Sequence, residues 1–573
     1  MLILFVSIFL LTSLIITQNN TALIISDHNS NLVQHSFLIS SKVTISSNPI
    51  LIDSNTNFLA QASANGWDVG GRDGTSSSKS LLIDSLVIDT ALTSTNAIEI
   101  ANTNLYFIIQ NCVITASYGI GIYLINVTNG LIQSNNALNN GVTGISLLNS
   151  SFNTFMNNSA TSNHLFGFDL ENSDSNILTN NTAKINTQTG FRLFNSSSNV
   201  LNANSAFDTS TYSGFYFEKS NSNMITNNTA QNNGHSGFYL YYSRDNTLKN
   251  NTASSNYIYG FGIDSSFSNI VINNSALKNT NSGFWFFNSS SNTVGFNYAS
   301  ATSTYSGFYF ENSTSNMIGN NTAENNANSG YYLFFSYSNT LKNNTANSNH
   351  LFGLGLENSS LNNLTENTAK SNSETGFRLI NSTSNILELN SASNTINYSG
   401  FYLENSNSNT LTNNTAKNNG HSGFYLYYSD SNSLENNTAT SNNINGFGLD
   451  NSKNSLLTNN TAQSNKDGIS LYKSDNTKLT NNNLVLNSNC GLNITLSANT
   501  VNVNSFYSSN GQNICPLPTS SSGTSGSSSS SSSSSSTTSK TPTVTSTPGF
   551  GLSIIIIIIP FILRNRRNKR KFS

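Results

Sequence analysis

With 573 residues the chain is long enough for several ordinary domains, yet only 9% of its residues are charged and its formal net charge is -2. It has no basic field to hold nucleic acid, so that class of partner is excluded. Polarity comes instead from Asn, Ser and Thr alternating with Phe, Tyr, Leu and Ile, a regular patterning that separates the chain from a uniformly polar disordered one. Three cysteines (Cys112, Cys490 and Cys515) are too few for a disulfide framework. Cys490 and Cys515 lie about one repeat apart and either pair outside the cell or stay reduced, while Cys112 reads as a lone buried thiol.

The chain opens with an apolar run from Leu2 to Ile16 with no Lys or Arg before it, so residues 1-18 read as a signal peptide, with an uncleaved anchor as the competing reading. A capping segment is expected over 19-80. Within it Asp68 and Asp73 flank a Gly-rich stretch that either holds calcium or forms a tight Gly-Asp-Gly turn.

From about residue 81 to 515 the chain is a repeat. Seventeen glycines, from Gly121 to Gly491, are each followed by an apolar residue, any residue, and Leu, Ile or Phe. Their spacing is 23, with 24 at every fourth step from Gly190 to Gly400 and a single 22 near the end. Apolar positions recur with period two after each glycine (Phe238 and Leu240; Phe424 and Leu426), which predicts a strand with those side chains inward. Another apolar residue stands eleven after the glycine (Leu178, Ile225) and a small one sixteen after it (Ala183, Ala230), with Asn recurring at nine (Asn176, Asn223) and fourteen (Asn181, Asn228). No helical period appears. Units of 23 residues with two or three short strands and polar corners predict an all-β fold, a parallel β-helix of about 17 or more coils. Coils stack ~4.8 Å apart, so each Asn column becomes a ladder of amides along the axis. Above the coil lies a longer period: Gly214, Gly307 and Gly400 are 93 residues apart, so blocks of four coils have been duplicated. The stretch GHSGFYLYYS occurs at 234-243 and again at 420-429.

If the first and third residues after each glycine point inward, the second and fourth point outward. That phase puts Tyr216, Tyr239, Tyr241, Trp285, Phe287, Tyr309, Tyr332, Phe334, Tyr402, Tyr425 and Tyr427 on one outer face, as a candidate binding strip. The fourth position carries Glu171, Glu218, Asp264, Glu311, Glu357, Glu404 and Asp450 on every second coil. Like charges there stand two coils, or ~9.6 Å, apart. Flat rings beside carboxylates, Glu311 and Glu404 among them, suit the apolar faces and hydroxyls of sugars; ordinary strand packing and solubility account for the same pattern. An enzyme on this face would use Asp169, Glu171, Arg192 and Glu218, which the register brings to neighbouring coils. Arg192 between acids is also a simple neutralising partner, and the copy, Arg378, is flanked by Glu357 and Glu404.

The histidines at 164, 235, 350 and 421 are two copied positions, too far apart to share a metal, and His28 and His35 precede the repeat. Met156, Met224 and Met317 read as mostly core. No metal or other cofactor is expected. Sequons at Asn180, Asn227, Asn250, Asn320, Asn343, Asn413 and Asn436 recur at one phase of the coil.

A Ser/Thr-rich linker follows at 519-548, of a composition that suits an O-glycosylated stalk, then an apolar transmembrane or sorting segment at 549-563 and a basic cytoplasmic tail at 564-573. At fifteen residues, interrupted by Pro560, the apolar segment is short of the roughly 20 that span a bilayer. TPGFGLSIIIIIIPFILRNRRNKRK, with its tripeptide Pro548, Gly549 and Phe550, resembles the archaeal PGF-type C-terminal sorting signal. The resemblance implies a membrane sortase as partner, and replacement of the tail by lipid.

Units such as SNSNTLTNNTAKNNGHSGFYLYYS resemble the NosD-type right-handed β-helix family over roughly residues 65 to 510, with NGWDVGGRDGTSSSKSLLIDSLVID at its start. The resemblance implies a right-handed parallel β-helix. A family association with copper comes with the name, and no clustered His, Met or Cys supports it. The expected molecule is an exported, cell-surface rod, membrane-anchored by its C-terminus, that binds glycans or surface proteins in an adhesion or envelope role. A polysaccharide lyase or glycosidase on the same fold is the alternative; a purely structural envelope protein or copper-associated accessory protein is the third reading.

Overall fold

The computed structural model describes residues 44-46, 48-90, 95-116 and 118-515. The signal-peptide segment, His28, His35, the Ser/Thr linker, the apolar segment at 549-563, the basic tail and the tripeptide Pro548, Gly549 and Phe550 lie outside the described residues. The chain divides into two units, Met1–Pro518 and Thr519–Ser573, and every described residue belongs to the first.

A single coil shows how the sequence winds. After Gly237 the chain runs as a strand, Phe238–Tyr241, turns, continues as Thr247–Lys249, turns sharply and forms Thr252–Ser254 before reaching Gly260. Each strand pairs in parallel with its equivalent one coil on: Phe238 with Phe261, Leu248 with Val271, Ala253 with Ala276. Repetition gives three parallel sheets of 20, 19 and 20 strands, here sheets I, II and III in the order a coil visits them. The fold is an all-β, right-handed parallel β-helix of about 19 turns.

The core is a set of columns. First-position rings stack face to face, Phe168, Phe191, Phe215 and Phe238 at 4.7 Å between centroids, continuing through Phe261, Phe284, Phe308 and Tyr331. Sheet II contributes Leu178, Leu201, Ile225 and Leu248, and sheet III a column of alanines, all fully buried. The alanines have to be small because the recurrent glycine of their own coil, sixteen residues earlier, lies against them. A Cβ on Gly237 would meet the Ala253 Cβ at 2.7 Å, the Gly260 carbonyl oxygen at 2.8 Å and the Asn256 amide nitrogen at 2.9 Å. Met224 and Met317, expected mostly in the core, stand outward on sheet II with 50% and 64% exposure, because their position is one residue before the inward one.

Amide ladders satisfy the buried corners. Asn228 donates through backbone N–H and side-chain Nδ2 to Asn251 Oδ1 (2.9 and 3.0 Å), and Asn251 does the same to Asn274 while its Nδ2 reaches the Ile225 carbonyl at 2.8 Å. The column nine residues after the glycine repeats this pattern (Asn223 to Asn246). Two further ladders do not emerge from the period alone. One is of serine, six after the glycine (Ser220 N–H to Ser243 Oγ, 3.0 Å); the other is of asparagine, nineteen after it (Asn256 to Asn279, 3.0 Å). The third Asn ladder stops at every 24-residue coil, where Thr209, Thr302 and Thr395 take its place. Each threonine donates instead to a carbonyl three residues on, at 2.7, 2.6 and 2.6 Å, which fixes the one-residue-longer turn.

The corners also explain why Asn and Ser dominate. Residues five, eight, thirteen and eighteen after most glycines adopt left-handed φ near 50-60° (Asn195 48°, Ser198 58°, Asn227 58°, Asn232 55°). Asn and Ser tolerate that region through local hydrogen bonding. The sequon asparagines sit on these turns and are exposed.

One end of the core is covered by the helix Asn55–Asn65. Ser54 caps it by accepting from the Asn57 N–H, Gly66 ends it in the left-handed region, and Phe58 and Ala62, one turn apart, press inward with Phe58 against Phe107. At the other end Cys490 and Cys515 form a disulfide, Cα atoms 6.1 Å apart, so of the two states left open by the sequence the pair is bonded. Cys112 is a free buried thiol whose pKa burial pushes up to about 12. Asp73 accepts from the Thr75 N–H (3.0 Å) and hydroxyl (2.6 Å) and from Lys79 (3.1 Å), bonds that lower its pKa to about 2; the segment is the tight turn, with Gly70, Gly71 and Gly74 at positive φ.

Because each ladder amide serves the coils on both sides, one deletion orphans several buried groups. Asn251→Ala removes the acceptor of two Asn228 donors and the donor to the Ile225 carbonyl. The expected loss is about 3 kcal/mol, read by equilibrium denaturation together with faster hydrogen exchange at the Asn228 amide. Asn250→Gly, one residue earlier on the exposed turn, is expected to cost less than about 0.5 kcal/mol.

Candidate functional site

The outer face of sheet I carries two side-chain columns, at the second and fourth positions after the glycines. Strand register sets the fourth column as Phe194, Glu218, Tyr241, Asp264, Phe287, Glu311, Phe334, Glu357, Ile380, Glu404, Tyr427 and Asp450, ring or aliphatic alternating with acid. The second column repeats every 93 residues: Tyr216, Tyr239, Gly262; Tyr309, Tyr332, Gly355; Tyr402, Tyr425, Gly448.

These two columns bond to each other. The phenols of Tyr216 and Tyr402 donate to the acid of their own coil, Glu218 at 2.9 Å and Glu404 at 3.2 Å, and Tyr309 hydrogen-bonds Glu311 in the same way. Tyr239 and Tyr425 reach across to the next coil, donating to Asp264 at 2.8 Å and Asp450 at 3.2 Å, and Tyr332 likewise donates to Glu357. Glycine in the second position makes the crossing possible. A Cβ on Gly262 would lie 2.5 Å from the Tyr239 ring, and on Gly355 and Gly448 2.8 Å from the rings of Tyr332 and Tyr425.

The second-column tyrosines, read from the sequence as an exposed strip, therefore point outward but are only half-exposed. Neighbours on both sides cover the ring faces, with Tyr216 and Tyr239 6.0 Å apart, and the phenol tip is spent on an acid. Trp285 is likewise stacked, on Tyr259 at 4.5 Å and beside Phe287 at 5.4 Å. Burial first, then the adjoining carboxylate, raises the pKa of Tyr216, Tyr239, Tyr309, Tyr332, Tyr402 and Tyr425 above the phenol value of 10. Burial also raises Glu311, against the hydrogen bond from Tyr309.

More accessible rings stand one residue later, where alternation was not extended. Tyr242, Phe335 and Tyr428, again 93 residues apart, are 54%, 41% and 50% exposed. They occupy the left-handed corner, each at φ 48°, where equivalent coils place Asn. A bulky side chain there costs on the order of 1 kcal/mol or more. Each packs against the fourth-column ring before it: Tyr241 with Tyr242 at 4.3 Å, Phe334 with Phe335 at 4.4 Å, Tyr427 with Tyr428 at 4.5 Å. The YY of the repeated GHSGFYLYYS is thus a pair of outer rings at a corner, and FF at 334-335 is its counterpart in the block between. The signal was present in the sequence as an aromatic where other coils read Asn.

Of the four candidate catalytic residues, three converge. Arg192 contacts Asp169 at 2.8 Å and Glu171 at 3.6 Å, with its guanidinium 5.1 Å from the centroids of both Phe166 and Phe194. Glu218 is apart from this group, engaged by Tyr216. Asp169 stands where later blocks have Gly262, Gly355 and Gly448, and the coil before it offers Ser146 rather than a tyrosine, so the space is free for a carboxylate. Burial raises the Asp169 pKa to about 6 against the opposing effect of Arg192. In the copy Arg378 lies 4.5 Å over Phe352, and Glu357 and Glu404 bond tyrosines.

His235 is held among rings, 5.2 Å from Tyr239, with Nδ1 2.9 Å from Ser236 Oγ, and burial lowers its pKa to about 4; burial also lowers His421. Among the described residues no three His, Cys, Asp or Glu converge to hold a metal, and no helix is long and apolar enough to cross a membrane.

Comparison with known proteins supports a right-handed β-helix family. The family model "Right handed beta helix region" matches residues 96–224 and 363–507, and "Periplasmic copper-binding protein (NosD)" matches 203–302 and 295–399. The dispersed histidines and exposed methionines described above do not form a copper donor set. No curated protein matches the chain. Among solved structures it is similar to the periplasmic alginate epimerase AlgG (15% identity, 74% of this chain and 84% of that one, TM-score 0.27). It is also similar to the Azotobacter vinelandii mannuronan C-5 epimerase AlgE6 A-module (14%, 82% and 97%, 0.27). A third is the catalytic unit of the GH87 alpha-1,3-glucanase from Streptomyces thermodiastaticus (12%, 66% and 63%, 0.27). Likeness at this level carries no argument about chemistry.

Two titrations probe the outer face. A folded-state pKa raised above the ordinary aspartate value means Asp169 favours the fold most when protonated, so its contribution falls as pH rises from about 4 through about 6. Arg192→Met removes the compensating charge; the variant should lose about 3 kcal/mol relative to wild type above pH 7 and much less at pH 4, measured by denaturation at both pH values. The second-column phenols are held neutral, so their contribution is complete below pH 10 and is lost above it. Absorbance at 295 nm should show them ionising only as the protein unfolds, after the exposed tyrosines.

Proposed function

We propose that the molecule is an exported rod that binds glycans or partner surfaces through the outer face of sheet I. The observation that carries this reading is the recurrence, once in each of three four-coil blocks, of an outer ring pair on a left-handed corner: Tyr241 with Tyr242, Phe334 with Phe335, Tyr427 with Tyr428. Strained backbone under exposed rings is a cost that the ladders do not require, since Asn satisfies the same corner in other coils. Rings of this size bury large apolar area against a sugar face or a protein side chain. Equivalent pairs four coils apart, ~19 Å along the axis, favour a ligand that is itself extended.

The phenol caps support binding over turnover. Six of the seven acids in the fourth column accept from tyrosine and Glu171 faces Arg192, which leaves no evenly exposed carboxylate pair along the face. The enzymatic alternative, a polysaccharide lyase or glycosidase, narrows to Asp169, Glu171 and Arg192. Display at the cell surface, with the C-terminal segment held in the membrane or exchanged for lipid by a sortase, completes the proposal and rests on the N-terminal apolar run, the Ser/Thr stalk and the PGF-like tail.

A glycan array and polysaccharide pull-down, paired with reducing-sugar and unsaturated-product assays, tests the reading. Retention without product is expected, reduced at least tenfold by Tyr242→Asn, Phe335→Asn and Tyr428→Asn together. Product formation abolished by Arg192→Met would instead establish the enzyme, and retention unaffected by the triple change would remove the ring pairs from the site.

A further inference from the structure

The opposite edge of sheet I has its own repeating feature. Two cavities open on the corner between sheets III and I, one of about 430 Å³ and one of about 450 Å³. They are the same place in successive blocks: adding 93 takes Ser210 to Ser303, Asn232 to Asn325, Tyr257 to His350 and Thr280 to Ser373. Both start at the longer turn of a 24-residue coil, the one fixed by Thr209 or Thr302, and both continue over the following three coils. Two troughs therefore follow one another along the rod axis at a repeat of four coils, ~19 Å.

The lining residues include no Asp, Glu, Lys or Arg. Hydroxyls come from Ser210, Ser255 and Thr280 in one trough and Ser303, Ser348 and Ser373 in the other, and none of them has a side-chain hydrogen-bond partner among the described residues. One exposed ring stands in each: Tyr257, 69% exposed, and His350. The nearest carboxylates, Asp208 and Glu324, accept from the lining Asn232 and Asn325 at 3.3 Å each. Free hydroxyls that both donate and accept, beside a flat ring, match a ligand built of hydroxyls on an apolar ring, and the neighbouring acids disfavour an anionic one.

We propose that these troughs are subsites for a neutral polysaccharide chain lying along the rod, each holding a short run of sugar units and both engaged at once by a chain longer than ~19 Å. Linking two equivalent weak sites through one ligand raises affinity by avidity, with no new contact needed. The inference rests on the glycan-binding reading but uses a different surface from the ring pairs, so the two are separately testable.

Titration of the full chain with linear β-glucan, mannan and galactan oligomers of graded length, with polygalacturonate as the charged control, tests it. At least one neutral series should bind, with affinity rising tenfold or more once the oligomer exceeds the spacing. Ser210→Trp or Ser303→Trp, exposed positions that fill one trough each, should return long-chain affinity to the short-chain level; both together should abolish binding, and Tyr257→Ala should weaken it without blocking the site. No retention of any neutral series, length-independent affinity, stronger retention of polygalacturonate, or unchanged binding in the double Trp variant would each overturn the proposal. Binding lost in the Tyr242, Phe335 and Tyr428 variants but unchanged in the trough variants would overturn the troughs and leave the ring pairs standing.

Discussion

Stacking identical coils at the spacing of β-strands is the constraint from which the rest follows. At ~4.8 Å every inward side chain meets its own copy above and below, so only residues that pack or bond with themselves can fill a column. Phenylalanine does so by face stacking, and alanine by leaving room for the recurrent glycine packed against it. Asparagine does it by donating from both its amide groups to the next oxygen in line. A buried carboxylate column could not, because like charges would face each other with no solvent between them. That is a physical reason for a chain this long to have so few charges: its interior surface is repeated at a distance where charge is intolerable.

The same rule shapes the exterior, more weakly. Acids in the fourth column are never in adjacent coils, and most of them are approached by a phenol. The tyrosine that crosses to the next coil does so only where that coil has glycine in the second position, so ring, glycine and acid are one unit distributed over two coils. Asp169 fits the same logic. Without a tyrosine before it, the position accepts a side chain, and the charge is tolerable because Arg192 lies one coil on.

Periodicity made the fold legible because seventeen glycines recur at a spacing of 23 that changes by only one residue at four steps, and the inward phase and two amide ladders follow from it directly. The third Asn ladder was hidden. Its column is interrupted by Thr209, Thr302 and Thr395 at the coils whose length changes, so the eye counting from glycine loses phase there. Exposure was misjudged for a related reason. Alternation tells which way Tyr216 or Tyr239 points and says nothing about how much of a ring the coils above and below will cover. Tyr242, Phe335 and Tyr428 were missed because a corner residue has no place in a period of two.

Block duplication copies everything, so recurrence alone cannot identify a site. A distinction still exists between what the stack demands and what it merely permits. Ladder asparagines, core apolar residues and the recurrent glycines are demanded, since each touches the coils on both sides and is replaced only by a residue that packs or bonds there in its stead, as Thr209 and Tyr331 do. The long turns, the left-handed ring corners and the trough hydroxyls are only permitted: neighbouring coils do without them and stack equally well. Where the blocks differ in the core, as Phe286 does from Leu379 or Val271 from Leu364, one apolar side chain replaces another; changes of chemical kind, as Asp169 from Gly262 or Trp285 from Arg378, stand on the permitted outer surface, and each is accommodated by its immediate neighbours. In a solenoid the core therefore specifies how far apart surface features are placed, and the surface is free to decide what they are.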